Sequence, residues 1–239
     1  MTKKGASQPE FILGIDVAEI YLPERVTAIA REINLTPRSA MDLSNGWDFS
    51  KVAGKLRAWK KIKEEAPYLV IGSPPCTLFS FVQEINIAQY GGDPNWMKKF
   101  EARLEQAKAH IRFCCKIYWH QLKSGKRFLH EHPWTARSWV MEELQKLRAH
   151  PEIQLIQAHM CSFGMTAPEH GKHSQDLPVK KPTGFLTSST CIAQELEKRC
   201  NADHRHAHLM SGKAAAAQVY PQALIVRGDI ERCDQAEAS

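Results

Sequence analysis

The chain predicts a doubly wound, mostly parallel α/β sheet with helices on both faces. Three observations carry this. Apolar runs of strand length alternate with amphipathic stretches at helical spacing, and strands separated by helices pair in parallel. The apolar run 68–71 ends at Gly72 and opens into a loop rich in proline, as a strand does at the ligand-binding edge of an open α/β sheet. The length, 239 residues, suits one domain of this class.

Taken in order, residues 11–17 read as the first strand. Pro23 starts a helix that places Val26, Ile29, Ala30 and Ile33 on one face. A second strand over 39–43 closes on Asp42. Ser50 caps a helix carrying Val52, Leu56, Trp59 and Ile62, which Pro67 stops. The 68–71 strand comes next, followed by a loose polar stretch that reaches Asp93. Asp93-Pro94 then forms a cap and a first-turn proline. Behind it Met97, Phe100, Leu104, Ala107, Ile111, Cys114, Tyr118 and Leu122 make a long apolar stripe that Gly125 ends. Cys114 falls on that stripe and so belongs to the core. Residues 127–130 form the next strand and run into Glu131-His132-Pro133. A helix with Trp139, Val140, Leu144 and Leu147, then strands over 153–156 and 184–187, complete the sheet. The chain reads as one domain over 1–230, with a small Cys/His-rich insert at about 188–212 and a polar tail at 231–239.

Composition bounds the function classes. With 43% hydrophobic and 24% charged residues the chain has an ordinary globular balance. No apolar run approaches the ~18–20 residues that span a bilayer, and the opening MTKKGASQPE lacks the apolar core of a secretory signal. Seven cysteines, an odd number without a dense framework, read as mostly reduced thiols in a cytoplasmic protein, with a metal-binding or catalytic subset. The net charge of +6 is not concentrated in any basic run, so it favours a polyanionic partner only weakly.

The most informative string is Ser73-Pro74-Pro75-Cys76-Thr77-Leu78-Phe79-Ser80. It puts a thiol on a proline-stiffened loop at the carboxyl end of a strand, and a thiolate is the strongest nucleophile among ordinary side chains. The alternative for Cys76 is a small buried cysteine. Glu131 also follows a strand and precedes a proline. A βαβ unit would bring the two strand ends together on one edge. The carboxylate could then accept from an exocyclic amine or share a proton with a ring nitrogen while the thiolate attacks a nearby ring carbon. The alternative for Glu131 is a lone surface acid between histidines.

On these residues the chain resembles the DNA cytosine-5 methyltransferase family. That family's nucleophile motif, Pro-Cys followed two residues on by Phe-Ser, is matched by Pro75-Cys76-Thr77-Leu78-Phe79-Ser80. Its strand-terminal Glu-Asn-Val keeps the glutamate in Glu131-His132-Pro133. Upstream, Glu19-Ile20-Tyr21 looks like the acidic-Leu-Phe opening of its cofactor loop, and Asp42 and Asp48 hold plausible places for cofactor-binding acids. Downstream, Ser162-Phe163-Gly164 is similar to an aromatic-Gly turn, Lys180-Lys181-Pro182-Thr183 to the basic segment, and residues 215–221 to the final motif. The resemblance covers roughly residues 11 to 230, with the motifs in order.

The resemblance implies a Rossmann-like methyltransferase sheet and a transferase acting on DNA. Cys76 would add to C6 of a pyrimidine and Glu131 would hold the ring. S-adenosylmethionine would be cradled by Glu19, Tyr21, Asp42, Asp48 and Pro74. Ser80, His132, Lys180, Lys181 and Thr183 would meet the substrate or its phosphates. The cofactor stretch 19–26 contains no glycine, and only 31 positions separate Thr183 from Ala214, where the family inserts its target-recognition domain. The expected partner is therefore DNA, single-stranded or read with low sequence selectivity, with or without a targeting protein. Two alternatives stand beside this reading. One is a non-catalytic nucleic-acid-binding relative with a degenerate cofactor loop. The other is a related pyrimidine C5-modifying enzyme that uses another one-carbon donor, or an RNA or nucleotide substrate.

The segment Cys191-x8-Cys200-x3-His204-x-His206-x-His208 fills the shortened gap. Cysteine and histidine at this density predict a zinc site held by Cys191, Cys200, His204 and His206. The alternative is a helix over 192–199 followed by a polar histidine-rich loop.

Overall fold

The computed structural model describes residues 16–33, 35–168 and 176–207. The first strand, described over β1 (Asp16–Ile20), runs on past residue 17, at which the apolar run stops; residues 11–15 of that run lie outside the described residues. A short helix α1 (Val26–Ile29) and a 3₁₀ turn (Ala30–Ile33) replace the longer helix expected after Pro23. Next come β2 (Thr36–Met41), α2 (Val52–Glu65) and β3 (Leu69–Gly72). The stretch expected to be loose contains a 3₁₀ turn (Thr77–Phe79) and helix α3 (Val82–Tyr90). Helix α4 (Pro94–Lys123) runs 30 residues, capped by the Asp93 carboxylate, which accepts from Asn95 N–H. Then follow β4 (Arg127–Pro133), a 3₁₀ turn (Arg137–Val140), α5 (Glu142–Arg148) and β5 (Gln154–His159). A two-stranded ribbon, β6 (Thr166–Pro168) with β7 (Asp176–Pro178), precedes β8 (Pro182–Thr187) and α6 (Thr190–Leu196).

Six strands form one sheet in the order β2-β1-β3-β4-β8-β5. β1 pairs in parallel with β2 and β3, and β3 with β4. β8 runs antiparallel to both of its neighbours, β4 and β5. Pro37 sits in β2, an edge strand, where a missing N–H is tolerated.

Strand alternation sorts two cores. Ala18, Ile20, Val70, Phe128 and Leu186 face α2, α4 and α5. Val17, Leu69, Ile71 and Phe185 face the other way, against Ala30, Phe163, Ile192 and Leu196. Helices thus cover both faces of a mostly parallel α/β sheet. The chain leaves β1 toward one edge and β3 toward the other. The carboxyl ends of β1 and β3 therefore flank the topological switch point where ligands bind in such sheets.

Candidate active site at the switch point

β3 ends on Gly72 because nothing larger fits: a Cβ there would lie 2.1 Å from the Tyr118 hydroxyl oxygen. The next residues are pinned in turn. Ser73 N–H donates to the Ile20 carbonyl at 3.2 Å, extending the β1–β3 edge by one residue. The Pro74 carbonyl accepts from His132 Nε2 at 2.9 Å, and His132 Nδ1 lies 2.6 Å from Ser138 Oγ. Phe79 is buried, its ring 5.8 Å from that of His132. The Cys76 loop is therefore fastened at both ends before its thiol meets anything.

β4 supplies the opposing acid. His130 and His132 point to the α4–α5 face, where both rings lie against Trp139. Glu131 points to the other face, nearly buried, and its Oε2 accepts from Ser73 Oγ at 2.5 Å across 58 residues of sequence. Lys181 reaches the same point from the turn before β8, with a backbone φ of +25° that a non-glycine residue rarely adopts. Burial pushes the Cys76 thiol above its ordinary value. The Glu131 charge adds to that rise and the Lys181 ammonium opposes it. Burial likewise lowers Lys181, while Glu131 and Cys76 hold it up. Burial keeps the His132 ring neutral against the pull of Glu131 and the Pro74 carbonyl. A neutral His132 that donates from Nε2 accepts at Nδ1 from the Ser138 hydroxyl.

These groups open into one cavity of about 1180 Å³. That exceeds the ~300–1,000 Å³ of an ordinary small-molecule pocket and leaves room for two ligands side by side. Ser73, Pro74, Cys76, Ser80, Glu131 and Lys181 line one end, and Tyr21, Asp42, Trp47, Asp48, Phe49 and His110 line the other. Tyr21 turns the chain after β1 with φ +59°. Its ring lies 4.4 Å from that of Phe49, and its hydroxyl oxygen is 2.9 Å from His110 Nδ1. Burial pushes the Tyr21 phenol up and His110 down, so both are neutral. The Asp42 carboxylate caps a turn through Oδ1, which accepts from Ser44 N–H and Oγ–H. The Asn45 N–H adds to this capping box, so the carboxylate is fixed at the cavity rim. Asp48 is held below the usual carboxylate range by Ser50 and Lys51.

Four expected contacts are corrected. Glu19 is fully buried and points away from the cavity. Its oxygens accept from the N–H groups of Arg25, Val26 and Thr27 and from the Thr27 hydroxyl, because β1 alternation aims it at α1. His132 lies behind the cavity wall as a brace for Pro74. Lys180 contributes its carbonyl, which accepts from Met160 N–H at 2.7 Å, and its side chain does not line the cavity. Thr183 is fully buried and its hydroxyl donates to the Lys181 carbonyl at 3.2 Å, steadying the turn instead of meeting a substrate. Ser73 and His110 were not anticipated. Ser73 stands within the cysteine motif, and its hydroxyl directly after a strand was the available signal.

The Cys/His segment is also rearranged. Cys191, in α6, is disulfide-bonded and has no thiolate to offer. Cys161, from the 3₁₀ turn after β5 (Met160–Phe163), takes its place beside Cys200, His204 and His206. His208 and residues 215–221 lie outside the described residues.

No protein-family model matches the chain, and no curated protein matches it in sequence.

Proposed function

We propose that this protein is a cytosine-5 methyltransferase-like enzyme acting on DNA, built on a Rossmann-like methyltransferase sheet. The observation that carries the reading is the meeting of Cys76, Glu131 and Lys181 in one cavity. They come from three separate chain segments and gather at the carboxyl ends of adjacent parallel strands. A buried cysteine of purely structural use does not need a carboxylate and an ammonium beside it.

The chemistry assigned to these residues follows. The Cys76 thiolate bonds to C6 of the pyrimidine, and the C5–C6 π pair moves onto C5. Glu131 shares a proton with N3 and accepts from the exocyclic amine, which draws off charge as the ring accepts the sulfur. Lys181 offsets the charges of Cys76 and Glu131. Once that pair has bonded to an electrophilic methyl carbon, loss of the C5 proton to solvent returns two electrons to the ring, which expel the Cys76 thiolate and restore the C5–C6 double bond. S-adenosylmethionine, when bound, supplies an electrophilic methyl group. In duplex DNA the base must first leave the stack. Phe81, Val82 and Ile85, exposed beside the Cys76 loop, suit a surface that meets unstacked bases.

The other half of the cavity suits this donor. Where a dinucleotide fold leaves helix N–H groups open for a pyrophosphate, Glu19 fills them with a carboxylate. A phosphate there would be repelled, and S-adenosylmethionine carries none. Tyr21, Asp42, Asp48 and Pro74 would hold it. Asp42 lies just beyond β2, about twenty residues after the β1 turn, as the ribose-binding acid does in the related nucleotide-binding sheet. The aromatic and acidic wall suits a sulfonium cation.

The test is covalent trapping. DNA containing 5-fluorocytosine, incubated with the protein and S-adenosylmethionine, should give a denaturation-resistant protein–DNA adduct. Cys76→Ser should give none while retaining the wild-type circular dichroism. Cofactor-independent DNA binding with no adduct would instead favour the non-catalytic relative. An adduct in Cys76→Ser would remove the assigned nucleophile.

A further inference from the structure

Outside the cavity lining, Cys161, Cys200, His204 and His206 place their ligand atoms within 4.8 Å of one another. The spacing within this group is that of a coordination shell. Cys200 Sγ lies 3.4 Å from His206 Nε2 and 3.6 Å from His204 Nε2. In a tetrahedral site with Zn–S of about 2.3 Å and Zn–N of about 2.0–2.1 Å, sulfur and nitrogen ligand atoms stand about 3.5 Å apart.

The surroundings are arranged for thiolates and neutral imidazoles. His204 turns Nδ1 to Asp203 Oδ1 at 2.6 Å, which leaves its Nε2 lone pair aimed at the cluster. This is the carboxylate–histidine pairing that orients metal-bound imidazoles. Ala202 N–H points at Cys200 Sγ from 3.2 Å, a donor suited to a thiolate, and Ala202 adopts φ +62° to deliver it. Cys161 is bonded by Ser162. Two thiolates and two neutral imidazoles around a dication sum to zero charge, which a half-buried site tolerates.

We propose that this protein binds one structural Zn²⁺ through Cys161 Sγ, Cys200 Sγ, His204 Nε2 and His206 Nε2. Four protein ligands close the shell, so the metal supports the fold and does no chemistry. It ties the turn after β5 to the segment beyond α6. The tie is continued by Cys200 N–H donating to His159 Nδ1 at 2.9 Å and Ala207 N–H donating to the Pro178 carbonyl at 2.8 Å. β8 and the Lys181 turn lie inside the loop so closed. This inference does not depend on the proposed activity.

Full-length protein purified without chelator and dialysed against zinc, then against metal-free buffer, should hold about one equivalent by elemental analysis. Cys161→Ser and Cys200→Ser should each fall below a tenth of that, and Cys191→Ser should keep its zinc. Because a ligand variant can fail to fold, wild-type protein stripped of zinc is also titrated with Co²⁺. Intense visible d–d bands with thiolate charge-transfer absorption report a tetrahedral site with sulfur ligands. Absence of zinc in the wild type, retention by folded Cys161→Ser, or only the weak bands of octahedral Co²⁺ would each overturn the proposal.

Discussion

Cys76 is harder to ionise than an ordinary thiol, first through burial and then through the Glu131 charge. The thiolate fraction therefore keeps climbing as pH rises beyond the ordinary thiol range, and alkylation of Cys76 by iodoacetamide should climb with it. Glu131→Gln removes the negative charge, which shifts the Cys76 profile to lower pH and speeds alkylation at any fixed pH below it. Turnover should move the opposite way, falling roughly 10²–10⁴-fold, because the ring loses its proton partner. Alkylation rates and turnover measured on the same variant check this. A parallel fall in both would mean that Glu131 shapes the loop through Ser73 and does not act on the ring.

At the scale of the element, β4 is the decisive strand. Its alternation sends Glu131 to the cavity and sends His130 and His132 into the α4–α5 core. Burial lowers both histidines; His132 pushes His130 down further, while Glu131 and the Pro74 carbonyl only partly offset the effect on His132. His130 Nδ1 is 3.0 Å from the Tyr118 hydroxyl oxygen, and its Nε2 is buried with no partner among the described residues. A depressed folded-state pKa gives stability that is complete above the unfolded value near 6.5 and is lost as pH falls below it. Urea unfolding should therefore show stability falling as pH drops from 7 to 5.5, above the range where most carboxylates titrate. An unchanged midpoint would mean that the pair is hydrated or charged in the folded state. This strand was legible in the sequence, as were β3 and the long helix α4 with its Asp93 cap. What they share is a strong apolar pattern with clear stops. Helix α3 was not legible because it buries no residue completely and carries no apolar stripe. The direction of β8 was not legible either, since a strand-length run reads alike in both orientations. Cys161 went unseen because it stands 39 positions from Cys200, and only folding brings the two together.

Across the whole molecule, the proposed activity on DNA meets a large cavity but little chain with which to read sequence. The 31 positions from Thr183 to Ala214 contain most of β8, the whole of α6 and three of the four proposed zinc ligands, which leaves few side chains for base edges. Sequence is read by base-edge contacts, and phosphate contacts carry none of that information directly. Random-sequence DNA treated with the purified chain should therefore be modified in a context of only one or two neighbouring bases. Mapping the modified cytosines checks this, and a defined site of four or more base pairs would contradict it. The diffuse +6 charge further predicts weak binding to bare DNA that falls steeply with salt.

A ribosome delivers β4 and β5 well before β8. Until residues 182–187 emerge, β5 has no hydrogen-bonded neighbour among the described strands, for β8 is the only one it has. β4 meanwhile presents its outer edge to any passing strand. Lys181 immediately precedes the late strand, and Cys200, His204 and His206 follow it. The last third of translation thus brings both Lys181 and three of the four proposed metal ligands, and a nascent chain that already carries Cys76 and Glu131 lacks the ammonium that sits between their charges until residue 181 is made.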